Sequence, residues 1–468
     1  LLNKTRFGGF FLCKIYMQTK GKFMKSKLAF LLATMLYSNL SMAASAYIIS
    51  TAADWQVQPI ITVGEAAANG YAMVGVPDGL GAVDNGDGSF SVLMNHELAA
   101  DKGSVRAHGQ KGAFVSRWVI NTESLQVLSG ADLSKKTVPA GLNFNRLCSA
   151  DLAPQSAFYN KISGKGYNGQ LFLNGEEDKA GGRAFAHSLD GTSYLLADFG
   201  HIAWENLLAH PSSQDSSLVI GLDDIQDGLL LVYLGNKSKT GNAIEQAGLA
   251  GGELFAIKVS GDRFSLVALP NMSNLDGVSL RAAAKKLGAS GFARPEDGSW
   301  DTQNNQVFWF ATTDKIDGDS RLSQLLFDDI AQPQQGGRIT TMLKASDIGA
   351  QMFDNLTVDA DGRVLIEEDP GAHERLAAIW MFDPKLKVTT QLFAANAQLF
   401  KTGAAGFMTI DEEHSGIIEV TALLGKASWF DARRRYYLGT TQVHLQHVDA
   451  NLVEHGQLWL ISGPAAMR

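Results

Sequence analysis

The sequence predicts an all-β fold, specifically a β-propeller with a few short helices in insertions, and three observations carry that expectation. Short apolar runs closed by Gly, Asn or Asp recur along the chain, and helical periodicity is scarce. The 468 residues also hold so many strands that an open sheet would expose many edges, which radial repetition of four-stranded blades removes. No repeat of fixed period is visible, so the blade number stays open.

Taken in order, residues 1–46 read as a leader. Met24-Lys25-Ser26-Lys27 precedes the apolar run Leu28 to Leu36, then Ser41-Met42-Ala43-Ala44-Ser45-Ala46. These are the charged, apolar and small-residue parts of a secretory signal cleaved after Ala46. The apolar run is too short for a membrane anchor, so the expected location is the periplasm or the external medium. Strands are expected at Phe90 to Met94, Phe114 to Ile120, Gln170 to Leu173, Leu229 to Leu234, Glu253 to Val259, Val307 to Ala311, Arg363 to Ile366, Ala378 to Phe382 and Gln457 to Ile461. Asp84-Asn85-Gly86-Asp87-Gly88 and Asp359-Ala360-Asp361-Gly362 read as hairpin turns, because their residues tolerate positive φ. Leu280 to Leu287 and Ser323 to Ile330 are the best helix candidates. No Pro-rich, Ser-rich or charged linker divides residues 47–468, which are taken as a single catalytic domain.

Composition narrows the function. With 45% hydrophobic and 19% charged residues, the chain can bury a large core and is not a disordered tail. Seven of its 40 basic residues and none of its 48 acidic ones lie in residues 1–46, leaving 33 against 48, a formal −15. Such a body has no broad attraction for nucleic-acid phosphates or anionic lipid. Beyond the leader Cys148 is the sole cysteine, so no intramolecular disulfide forms there. That thiol is either a small buried apolar group or a metal ligand.

The chemistry lies where apolar runs end in oxygen ligands: Asn95-His96-Glu97, Asn174-Gly175-Glu176-Glu177-Asp178, Asp354-Asn355, Glu367-Glu368-Asp369 and Asp411-Glu412-Glu413-His414. Crowded carboxylates repel one another, a cost that bound cations relieve. Ca²⁺ takes six to eight oxygens in irregular geometry, which scattered loops supply. In Arg294-Pro295-Glu296-Asp297-Gly298 the arginine can offer a bidentate fork to a phosphate beside a metal-binding carboxylate. There is no G-x-S-x-G, H-E-x-x-H or P-loop motif. His444 and His447 fall on opposite faces of an expected strand from Tyr436 to Val448.

Quoted in this order, the chain resembles the PhoX-type alkaline phosphatase family of secreted bacterial metallophosphatases. Asn95-His96-Glu97 is similar to that family's N-H-E element, Cys148 to its single cysteine, and Glu176-Glu177 to its paired glutamates. Arg294-Pro295-Glu296 is similar to its R-P-E, and Asp354-Asn355 with Glu368-Asp369 to its D-N and E-D. The segment after Cys148 departs from the family's P-W-G-T run, the leader has no twin arginine, and Gln446-His447-Val448-Asp449 matches Q-H-P-G only in part.

The resemblance implies a phosphomonoesterase with several calcium ions and ferric iron. Its metal ligands would come from Glu97, Cys148, Glu176, Glu177, Glu296, Asp354, Asn355, Glu368 and Asp369, and Arg294 would hold substrate phosphate. The partner is then a small phosphate ester, with no nucleic acid, membrane anchor or obligate protein partner expected. Two other readings stay open: a calcium-dependent lactonase or phosphotriesterase, and a non-catalytic binding protein whose loops calcium braces.

Overall fold

Six short strands begin the main sheets of the molecule, and each packs against the next until the last meets the first: Pro77–Asp84, Leu147–Leu152, Trp204–Ala209, Pro295–Trp300, Phe353–Val358 and Glu412–Glu419. The computed structural model describes residues 45–466 apart from Ser213. The leader expected over residues 1–46 lies, but for its last two residues, outside the described residues.

Behind Pro77–Asp84 stand Ser89–His96, Phe114–Asn121 and Val127–Asp132; behind Leu147–Leu152 stand Leu171–Glu176, Ala184–Ser188, Thr192–Leu195 and Lys136–Val138. Phe353–Val358 leads through Val364–Glu368, Ala378–Asp383 and Val388–Ala395 to Ile48–Ser50. Glu412–Glu419 leads through Arg434–Gln446 and Glu454–Pro464 to Gln56–Thr62. The first two described strands of the chain are thus sewn onto sheets built by its last third.

The remaining two ring strands, Trp204–Ala209 and Pro295–Trp300, are opposite edges of one nine-stranded sheet. Pairing of Arg263–Ala268 with Gly337–Lys344 makes that sheet continuous. It curls until its edges meet, where Asn206 Nδ2 donates to Asp297 Oδ1 at 2.6 Å. This corrects the expected β-propeller. The strands form a mostly β fold in which one sheet is a nearly closed barrel, not a set of separate four-stranded blades. The edge problem is solved by closure, a solution that strand counting does not distinguish from radial repetition.

Each of the nine predicted strand runs matches a strand, three of them (from Gln170, Leu229 and Arg363) beginning one residue before it, and both predicted turns close hairpins, with Gly86, Gly88 and Gly362 at φ +78°, +86° and +81°. Leu280 to Leu287 covers the last two turns and the C-cap of the helix Gly277–Lys286, capped at its start by the Asp276 side chain accepting from the Ser279 N–H. The helix expected at Ser323 to Ile330 is instead the strand Arg321–Phe327, paired on both sides, with Leu322, Leu325 and Phe327 buried. Tertiary pairing there overrides an ambiguous short apolar pattern. Among the described residues no helix is long and apolar enough to cross a membrane.

The core fills the spaces between neighbouring sheets. Leu171 and Leu173 pack with Leu207, Val219 and Tyr233; Trp309 packs with Phe353, Leu356 and Val364; Leu365, Ile379 and Phe393 pack with Ile417, Tyr437 and Trp459. Each such side chain stabilises the fold by roughly 1.5–3 kcal/mol on burial, and together they hold the ring strands in register.

Candidate functional site

One register governs the start of all six ring strands. Their first residues pair with the neighbouring strand as Pro77 with His96, Leu147 with Glu176, Trp204 with Asp223, Pro295 with Thr312, Phe353 with Glu368, and Glu412 with Val443. One residue further along the ring strands come Asp78, Cys148, Glu205, Glu296, Asp354 and Glu413. One residue further along the neighbouring strands come Glu97, Glu177, Asp224, Thr313, Asp369 and His444. The N–H of each member of this second set donates, at 2.9–3.1 Å, to the carbonyl of the residue preceding a ring strand: Val76, Arg146, Ala203, Arg294, Met352 and Asp411 respectively.

Bulges aim the inner set. In five ring strands the pairing skips from the first residue to the fourth, as between Pro77 and Leu80 or Phe353 and Leu356, which inserts one extra residue and twists the strand start. The strands approach closely enough that a Cβ on Gly79 would land in the backbone of Ser149–Ala150, and one on Gly416 would lie 2.6 Å from the Asp78 carbonyl oxygen. Val76, Arg146, Arg294 and Met352 have φ of +52°, +48°, +52° and +46°, a region that costs a non-glycine residue of order 1–2 kcal/mol. Such strain concentrates at functional sites.

Two buried groupings result: Asp78, Glu97 and Cys148, and Glu205, Glu296 and Asp354. Within each, one donor atom per residue lies within 4.8 Å of the others. Asp78 is 1% exposed and Glu205 2%. Gln442 Nε2 donates to Asp78 Oδ2 at 2.9 Å and to Glu97 Oε2 at 3.2 Å. The Cys148 thiol donates to Asp78 Oδ2 at 3.4 Å. Ser149 Oγ donates to Glu205 Oε1 at 2.6 Å and accepts from Asn355 Nδ2 at 2.5 Å. Asp78 Oδ1 is buried with no hydrogen-bond partner among the described residues.

Burial first, then neighbouring carboxylates, pushes the Asp78, Glu205, Glu296 and Asp354 carboxyls well above their ordinary range. Burial, then Asp78 and Glu205, does the same to the Cys148 thiol. Buried acids with an orphaned oxygen and a thiol fit a cation, which would restore the charged form of each.

Cationic side chains rim the groupings. Arg294 donates to Asp224 at 2.7 and 3.0 Å and lies 2.8 Å from Glu296 Oε1. Arg146 bridges Glu97, at 2.7 Å, and Glu177. His444 sits between Glu454, at 2.8 Å, and Glu413, at 3.4 Å. Burial opposes its charge, but the two carboxylates outweigh burial and raise its pKa to about 11. A cavity of about 440 Å³, lined in part by Glu97, Arg146, Asp369, Glu413 and His444, opens here.

Of the sequence-predicted residues, Glu97, Cys148, Glu296 and Asp354 fall in the two groupings, with Asn355, Glu177, Asp369 and Arg294 around them. Glu176 and Glu368 do not join. Glu176 accepts from Arg183 at 2.5 and 2.7 Å. Glu368 accepts from Arg375 at 2.7 and 3.1 Å and from Trp380 Nε1 at 3.0 Å. Glu413 belongs to the Asp411-Glu412-Glu413-His414 run and His444 to the expected strand from Tyr436 to Val448, although neither is among the predicted ligands; Asp78, Glu205, Asp224 and Arg146 lie outside every run the sequence singles out. A signal did exist for two of them: Pro77-Asp78 repeats the Pro-acid pair of Pro295-Glu296, and Glu205-Asn206 the acid-Asn pair of Asp354-Asn355.

No known family profile and no curated protein matches the chain. Among solved structures, the fold is similar to that of Pseudomonas fluorescens PhoX in complex with vanadate, a transition state analogue, with a TM-score of 0.56 and 12% identity over 89% of this chain and 96% of that one. This likeness concerns the fold alone. Weaker similarity links it to a putative 6-phosphogluconolactonase from Bacteroides uniformis, with a TM-score of 0.34 and 14% identity over 78% of this chain and 95% of that one. The NanB sialidase of Streptococcus pneumoniae gives a TM-score of 0.37 and 8% identity over 86% and 70%.

Proposed function

We propose that the chain is an exported metal-dependent phosphatase that hydrolyses small phosphate monoesters in the periplasm or the medium, through one catalytic domain spanning residues 47–468. The observation that carries this reading is the pair of buried groupings at one end of the ring with Arg294 beside them. Asp78, Glu97 and Cys148 hold one cation, and Glu205, Glu296 and Asp354 hold another. The all-oxygen grouping suits calcium, and the thiolate of Cys148 suits iron. When bound, such cations polarise a phosphoryl oxygen and neutralise its developing charge.

The chain's own residues do the rest. Arg294 donates to the phosphoryl oxygens from a guanidinium already oriented by Asp224 and Glu296. Ser149 and Asn355 fix the Glu205 carboxylate. Gln442 orients Asp78 and Glu97 toward one another without adding charge.

The test is a substrate panel of p-nitrophenyl phosphate, its bis-ester and a lactone, each with calcium or with chelator. Monoester turnover that chelator abolishes and calcium restores supports the proposal. Arg294→Ala should then lower kcat/KM by about 100-fold or more, and Cys148→Ala should release iron from the purified protein. Preferred turnover of the bis-ester or lactone by iron-free, calcium-loaded protein would assign the lactonase or phosphotriesterase reading instead. No turnover, with calcium still raising the melting temperature, would assign a binding protein.

A further inference from the structure

Arg146 and Arg294 occupy the same place in the ring. Each immediately precedes a ring strand, each has positive φ, and each carbonyl accepts from the N–H of a residue in the outer set, Glu177 or Thr313. Each guanidinium spans two carboxylates from different strands. At the other four equivalent positions stand Val76, Ala203, Met352 and Asp411, so a cation is placed there twice. Val76 and Met352 share that positive φ, so the conformation belongs to the ring-strand start, and the guanidinium groups are what set these two positions apart.

The ion pairs do not use up Arg146. Its side chain is 47% exposed and lines the cavity that opens onto Glu97 and Glu413. A guanidinium has five N–H donors, and two carboxylate contacts leave donors free. The charge of Arg146 acts on Glu413, and that of Arg294 on Asp354 and Asp369, so the two cations serve the same end of the ring. One ring position, that of the strand Trp204–Ala209, separates them.

We infer that Arg146 is a second oxyanion-contacting arm, which with Arg294 grips the phosphoryl oxygens of the substrate. The inference rests on the phosphatase reading. The competing view of Arg146 is that it does no more than neutralise Glu97 and Glu177, and the two views differ in what they predict for phosphate binding.

The experiment measures inorganic phosphate affinity, by calorimetry and as competitive inhibition of monoester turnover, for the calcium-loaded full chain. Wild type is compared with Arg146→Ala, Arg146→Lys, Arg294→Ala and the double variant Arg146→Ala/Glu177→Gln. In the double variant Glu177 no longer adds an uncompensated carboxylate, and melting temperatures confirm that each protein folds. Loss of one charge-assisted contact is expected to weaken phosphate binding and raise KM by roughly 10- to 100-fold in both alanine variants and the double variant. Lysine should recover the melting temperature and only part of the affinity, because it cannot make a planar fork. Wild-type phosphate affinity in folded Arg146→Ala and in the double variant, with Arg294→Ala impaired, would overturn the inference and leave the phosphatase reading standing. Failure of wild type itself to bind phosphate or turn over the monoester would overturn both.

Discussion

Buried acids one residue apart meet opposite fates in this protein. Glu176, Asp223 and Glu368 each pair with the first residue of a ring strand, and each is locked by an arginine: Arg183, Arg281 and Arg375. One residue along the same strands lie Glu177, Asp224 and Asp369, which turn to the other face and join the rim of the groupings. The strand period of two makes this division. It teaches that burial of a carboxylate does not mark a site. What marks it is burial without enough partners, as at Asp78, against burial with a bidentate arginine, as at Glu368.

The sharpest way to break this comparison is to remove the arginines. Arg183→Ala and Arg375→Ala each leave a buried carboxylate uncompensated and should lower stability by about 3–5 kcal/mol, measured by urea unfolding, with metal content unchanged. A smaller loss, about 1–3 kcal/mol, is expected for Gly79→Ala, which forces a methyl into the backbone of the next ring strand; a shift in its denaturation midpoint tests this. Neutralising an acid of the groupings should act with the opposite sign. In chelator, Glu205→Gln or Asp354→Asn should raise the melting temperature, by roughly 1 kcal/mol of stability, since one repelling charge is removed. Destabilisation by these variants in chelator would erase the distinction between the two kinds of acid.

The pH dependence sharpens the same contrast. Burial raises the folded-state pKa of Asp297 to about 6, Asp369 to about 7 and Glu177 to about 8. A carboxyl raised on folding contributes stability that is fully present below its unfolded pKa and is lost as pH climbs through the folded value. Metal-free protein should therefore lose stability steadily from about pH 4 to about pH 8, and calcium should flatten that slope. Scanning calorimetry at several pH values, with chelator and with calcium, reads both curves.

How much of this the sequence discloses follows from the same geometry. Runs such as Asn95-His96-Glu97 and Glu367-Glu368-Asp369 stand out because several polar residues end an apolar strand, and they mark the rim and the arginine-locked acids together. Sequence does not separate Glu368 from Asp369, since Arg375 lies in a loop whose path the strand pattern does not specify. The inner residues are harder to see. Asp78 lies in Val76-Pro77-Asp78-Gly79, which has the chemistry of a turn, and Glu205 is a lone acid in an apolar run. Only the bulges and the ring closure bring them inward. The strands were legible as short apolar runs closed by Gly, Asn or Asp, but the link that merges five strands and four into a nine-stranded sheet rests on Arg263–Ala268 meeting Gly337–Lys344, about seventy residues apart. No local pattern encodes that pairing.

Calcium titration of chelator-stripped protein by calorimetry tests the central claim most directly, with wild type set beside Glu205→Gln/Asp354→Asn. The account predicts saturable binding that raises the melting temperature of wild type and loses at least one site in the double variant. Absence of binding in wild type, or equal binding in the folded double variant, would contradict it.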